Sequence, residues 1–164
     1  MFDFVPYLSF LTSGIGVLFI IYLIIRFPKI PQVYGLAWII FSLVFLEFYI
    51  YALTSKHIYQ MLFILRTPNI IRVFLPVILF LYVRKMLDPT LSISGWQYLH
   101  LLFPVLITIG IMPDLFLSAA EKSAILDHYY QHNQYFISKP MGWIPAGFVQ
   151  PVSILVGILY GVIS

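Results

Sequence analysis

The chain has 164 residues, of which 62% are apolar, 18% aromatic and 9% charged, with a mean hydropathy of +0.98. A soluble domain averages about 45–50% apolar and about 25% charged residues, and a globule of this size has too little polar surface to cover such a core. An ordinary soluble enzyme, a disordered chain and a free nucleic-acid-binding domain are excluded, which leaves an integral membrane protein of one domain. A net charge of +3, from nine Lys/Arg and six Asp/Glu, is too thin for nucleic acid. Zero cysteines exclude disulfides, thiolate metal sites and thiol catalysis.

Residues 4–25 carry no charge. A helix of about 20 residues crosses the hydrocarbon core at about 1.5 Å per residue, so the first span is expected at about 7–27. It is closed by Arg26, Pro28, Lys29 and Pro31. The second is expected at about 33–53, with Trp38 and Tyr49/Tyr51 near its ends and one charge, Glu47. Only 11 uncharged residues separate Arg72 from Arg84. The third span is therefore read as one helix over about 58–86, bent near Pro68 and Pro76, with Arg66 and Arg72 in its outer half. The fourth is expected at about 95–117, with Trp96 and Tyr98 at its start. A polar stretch, 118–139, follows. Ser118 and Glu121 have capping-box spacing, and about 119–134 reads as an amphipathic surface helix with Ile125, Leu126, Tyr129 and Tyr130 on its apolar side. The fifth span is expected at about 144–164.

The fold class is thus all-α: a polytopic transmembrane helical bundle of about five spans plus one extracytoplasmic amphipathic helix. Arg26 and Lys29 follow the first span, and Arg84 and Lys85 follow the third. By the positive-inside rule these ends are cytoplasmic. The N-terminus and the surface helix then lie outside, as expected for a multi-pass protein of a bacterial inner membrane. The last segment, Gly161–Ser164, has no Lys, Arg or Trp to anchor it, so the chain is expected to be a fragment of a longer one.

Three groups of residues together resemble a known family. They are Leu75-Pro76 followed by Leu81-Tyr82-Val83-Arg84; Trp96-Gln97-Tyr98-Leu99-His100 leading into Leu102-Phe103-Pro104; and, after the polar helix with Glu121-Lys122, Ile158-Leu159-Tyr160. In this order they resemble the N-terminal membrane region of AraC-type helix-turn-helix transcriptional regulators of the Bacteroidetes kind. The resemblance implies a membrane sensor or anchor whose partners are the bilayer and a small ligand or envelope signal. DNA would be bound only through a C-terminal domain outside this sequence. Similar input domains precede histidine kinases, and a small transporter subunit is the alternative from another class.

Candidate sites are few. An ionisable group inside a span usually faces a partner or a cavity, so Glu47 is expected to pair with Arg72 or Arg66, as a ligand pocket or as a structural ion pair. His128 and His132, at i and i+4, share a helix face that suits pH sensing or weak metal binding; a third ligand is missing, and no metal or other cofactor is expected. His100 is expected to bond a nearby backbone group or a headgroup. Gly14, Gly16 and the Gly157-x-x-x-Gly161 pair permit close helix packing or a homodimer. No nucleophile–base pair, phosphate loop or carboxylate pair is present, so no enzymatic activity is expected.

Overall fold

A computed structural model of the chain describes residues 4–88, 90, 95–132 and 140–163, and among these the side chains of 96–98, 132, 150 and 161–163 are not described. The first helix, α1 (Val5–Arg26), starts on a proline near its N-terminus and ends with Arg26 in its last turn. Pro6 stands where a helix has no N–H to lose. Its inward seam is made of small residues. Ser9 and Ser13 are buried, and Gly16 lies so close to Val44 that a Cβ would collide with that side chain. The Ser13 hydroxyl donates to the Ser9 carbonyl at 2.7 Å. Small residues let helix backbones approach where no water drives them together. The opposite side is a stripe of exposed apolar residues, including Leu8, Leu11, Ile15, Leu18, Tyr22 and Ile25, at alternating spacings of three and four.

The partner of that seam is α2 (Pro31–Thr54). Both helices match their expected positions to within two residues, because prolines and charges mark the same ends. Each is long and apolar enough to cross a membrane. At about 1.5 Å per residue they reach about 33 and 36 Å.

The third expected helix is corrected. Residues 57–64 form two short 3-10 turns, η1 (His57–Gln60) and η2 (Leu62–Ile64), and the helix proper, α3, is Thr67–Leu87. Apolar character alone reads 58–66 as helix, but Pro68 lies in the first turn of α3, where its missing N–H breaks no helical bond. Lys56 and Arg66 take left-handed backbone conformations, φ 63° and 74°, at the two corners of the segment. Pro76 sits inside α3, which packs against α2, α4 (Gly95–Leu115) and α6 (Val149–Ile163). Its stripe Val73, Val77 and Phe80 is buried. At its far end Tyr82 lies over Gly35 of α2, where a Cβ would come within 2.8 Å of the ring.

After α4 the chain turns by 101° into α5 (Ala119–His132), and the two count as one crossing only if taken together. The fifth expected span is also corrected, since α6 begins at Val149. Before it, Met141 and Ile144 exchange backbone hydrogen bonds of 2.9 Å, and Gly142 and Gly147 have positive φ, which closes 141–148 into turns. At 15 residues α6 reaches about 22 Å. The molecule is all-helical among the described residues, with two helices, or three counting the bent pair, long and apolar enough to span a membrane.

The capping box that starts α5 is formed. The Ser118 N–H and hydroxyl donate to Glu121 Oε2 at 2.8 and 2.7 Å, and the Glu121 N–H donates to Ser118 Oγ at 3.3 Å. These bonds hold the Glu121 carboxyl below the usual carboxylate range. A lowered folded-state pKa stabilises above the unfolded value and loses that effect as pH falls through the folded one. The first turn of α5 is therefore expected to lose amide-exchange protection on acidification. Ser118→Ala should return the Glu121 titration toward the ordinary range; an unchanged Glu121 titration by NMR would remove the box from the account.

Candidate functional site

Helix direction alternates, so the end of α2, the start of α3, the end of α4, α5 and the 141–148 turns meet at one end of the bundle. Beneath them lies an apolar floor of Tyr49, Ala52, Ile58, Ile64, Leu65 and Leu126. Leu126 is fully buried, and Ile125 and Tyr130 are partly buried against the same cluster, which matches the apolar side expected for α5.

Two arrangements stand on this floor. The first is a buried polar clamp. Arg66 Nε lies 3.2 Å from Asp114 Oδ2, with the two side chains 3% and 11% exposed. The Gly142 N–H donates to the other oxygen of Asp114 at 2.7 Å. The Trp143 N–H donates to the Gly110 carbonyl at 2.9 Å, and Asn69 Nδ2 donates to Met141 Sδ at 3.2 Å. Lys122, itself buried, donates to the Leu115 carbonyl at 2.8 Å. A cation at the C-terminus of α4 offsets its dipole and satisfies a carbonyl the helix leaves open. The clamp thus ties α3, α4, α5 and the 141–148 turns together.

The second is a cavity of about 770 Å³ between the start of α1, the end of α2, η1 and α5. Its walls include Tyr7, Tyr51, Ser55, His57, Tyr129 and Tyr130. The rings are held in place. Tyr51 and His57 stack at 5.5 Å and 22°, and Tyr129 and Tyr130 meet edge to face at 5.1 Å. The Tyr130 hydroxyl donates to the Leu53 carbonyl, and Lys56 Nζ sits 5.3 Å from the Tyr130 ring centroid. Beside it Tyr59 stacks on Tyr130 and donates to Asp127 at 2.6 Å. Loss of water and then the Asp127 carboxylate push the Tyr59 phenol up to about 12.

Of the two partners expected for Glu47, Arg66 is instead paired with Asp114. Glu47 is half-buried on α2, whereas Arg72 is exposed on α3. Asp114 was legible only as a lone acid just after Pro113, at the close of the uncharged run 89–113; the sequence gives no hint that the bend after it faces Arg66. His100 is also corrected. Its Nδ1 meets the Tyr160 hydroxyl at 2.8 Å, and both rings touch Phe80, so a side chain of α6 takes the place of a backbone group or headgroup. His128 is half-buried on α5, and the side chain of His132 lies outside the described residues. Among the described residues no three His, Asp or Glu side chains gather as metal ligands. Of the glycines, Gly16 makes a close helix contact, whereas Gly14 and Gly157 face open space; the side of Gly161 is outside the described residues.

No protein-family model, no curated protein and no solved structure matches the chain.

Proposed function

We propose that this chain is the membrane-embedded input domain, sensor and anchor together, of a transcriptional regulator of the AraC type. Its DNA-binding domain would lie beyond Ser164. In this reading α1, α2, α3, α4 and α6 are the five crossings, in a bacterial inner membrane with the N-terminus outside. The observation that carries it is the cap: a polar clamp and an aromatic chamber at one end of an otherwise apolar bundle. The inside-out distribution supports the same reading. Ser9, Ser13, Arg66, Asp114 and Lys122 are buried, while Leu, Ile and Phe side chains of α1, α4 and α6 face outward. In lipid, buried polar groups find partners inside the protein. Arg26, Lys29, Arg84 and Lys85 stand at the opposite end from the cap, where the positive-inside rule puts the cytoplasm.

Two experiments test this. Cysteines introduced singly at Ser123 and Ser92 should differ toward an impermeant thiol reagent on intact cells, Ser123→Cys being labelled and Ser92→Cys protected. The reverse pattern would invert the topology. Reading the gene past the Ser164 codon should reveal recognition helices; a kinase core, or further spans alone, would transfer the assignment to a histidine kinase or a transporter.

A further inference from the structure

We infer that the aromatic chamber is a binding site for a planar aromatic small molecule carrying an acidic O–H, a phenol or an aromatic carboxylic acid. The inference rests on the input-domain reading for its purpose, and on the geometry of the cap for its chemistry. At about 770 Å³ the cavity has the size of small-molecule sites. Tyr7, Tyr51, His57, Tyr129 and Tyr130 bring ring systems to one wall or another, and the Tyr51–His57 and Tyr129–Tyr130 pairs, held by their ring contacts, favour a flat guest through offset or edge-to-face contacts.

The hydrogen-bond arithmetic selects a guest that donates a proton. Ser55 has one hydroxyl proton, and it goes to the Tyr51 carbonyl at 2.6 Å. The same oxygen lies 2.8 Å from His57 Nδ1. That oxygen therefore accepts from Nδ1–H, and in the tautomer that carries its proton on Nδ1 the acceptor of the ring is Nε2. A guest that brings a proton can bond this nitrogen; the proton stays on the ligand oxygen or moves to Nε2, and the bond between the two remains. Charge points the same way. Among the described residues that line the cavity there is no carboxylate, and Lys56, between the lining Ser55 and His57, holds its Nζ 5.3 Å from the Tyr130 ring centroid.

The test is a titration of the whole chain in lipid nanodiscs with 2-naphthoic acid, read by naphthyl fluorescence anisotropy against empty nanodiscs. The comparison ligands are 2-naphthylmethylammonium and decanoate. The acid should saturate at one equivalent, the ammonium should bind at least about tenfold more weakly, and decanoate should not compete. His57→Phe keeps a stacked ring but removes the acceptor, and should weaken the acid about tenfold, as loss of a hydrogen bond to a charged group does. Lys56→Gln should weaken it less, since Lys56 is exposed. Unchanged thermal midpoints establish that both variants are folded. Equal competition by decanoate would mean that the site reads an amphiphile, including a membrane lipid, and not a ring. Tighter binding of the ammonium, indifference to His57→Phe, or saturation by none of the probes would each overturn the inference. The labelling of Ser92→Cys and Ser123→Cys does not depend on the chamber, so a failed titration with two-sided labelling intact removes the ligand class and leaves the membrane-domain reading standing.

Discussion

Asp114→Ala is expected to lower the thermal midpoint in detergent more than removal of any other carboxylate of the chain. Asp114 faces Arg66 at 3.2 Å in a site where both side chains are almost fully enclosed. It also accepts the Gly142 N–H. Removing one member of a buried pair leaves a desolvated charge behind and costs about 3–5 kcal/mol, whereas replacing both with apolar groups of similar volume is often neutral. The double change Arg66→Met with Asp114→Leu should therefore recover much of the loss. Asp114→Asn should fall between, because its amide oxygen still accepts from Gly142 while the charge is gone. Additive effects of the two single changes would take the pair out of the account. The same measurement on Glu47→Gln is expected to give a small shift, since the partner of Arg66 is Asp114.

Alanine at three glycines should give a steep order of effects. Gly142 has φ +57°, and a Cβ there would collide with the backbone carbonyl of Gly110 and lie 2.9 Å from Pro113 Cδ. The Gly110 carbonyl is fixed by the Trp143 N–H, so neither partner can give way. Left-handed strain alone costs about 1–3 kcal/mol for a residue with a side chain, and the collision adds to it. Gly142→Ala should then approach the loss seen for Asp114→Ala, because the Gly142 N–H would be pulled off the Asp114 carboxylate. At Gly110 a Cβ would meet Ile144 Cγ1 and Cδ1 at 2.6 and 2.8 Å; these are side-chain atoms that can rotate, and Gly110→Ala should cost less. Gly14 has nothing within 4 Å, and Gly14→Ala should be neutral or stabilising by up to about 1 kcal/mol through helix propensity. Thermal midpoints of the three variants check the order, and a Gly142→Ala protein as stable as Gly14→Ala would show that the turn is not held as described.

What the sequence discloses about this fold follows how local each cause is. The ends of α1 and α2 lie where Pro6, Arg26, Pro31 and Thr54 put them, because a helix end is decided by a few neighbouring residues. The start of α5 at the Ser118–Glu121 box is local in the same sense. The stretch 57–66 is not. Its apolar residues suit a membrane helix and a buried 3-10 corner equally, and the choice is made by Ile58, Ile64 and Leu65 packing against Leu126 from far along the chain. The late start of α6 has a local cause in the positive-φ glycines 142 and 147, which apolar character outweighs in a sequence reading. At the cap, Arg66 was identifiable as a costly charge in need of a partner. The identity of that partner depends on a 101° bend between α4 and α5, which no local pattern near Arg66 encodes. The chamber was illegible for the same reason: its rings come from α1, α2, η1 and α5, and no local pattern brings α5 to the other three.

The seam between α1 and α2 has a consequence for biosynthesis. Ser9, Ser13 and Gly16 close against α2, and the Ser13 hydroxyl donates inside α1 itself. This hairpin is complete as soon as Thr54 has left the ribosome, and it can enter the bilayer needing nothing translated later. The segment after it cannot. Arg66 has to wait for Asp114, and Asp114 for the N–H of Gly142, so the cap closes only once the chain has been made past residue 142. A chain interrupted between these points would hold a settled hairpin followed by an uncompensated arginine, the kind of half-built product that membrane quality control removes.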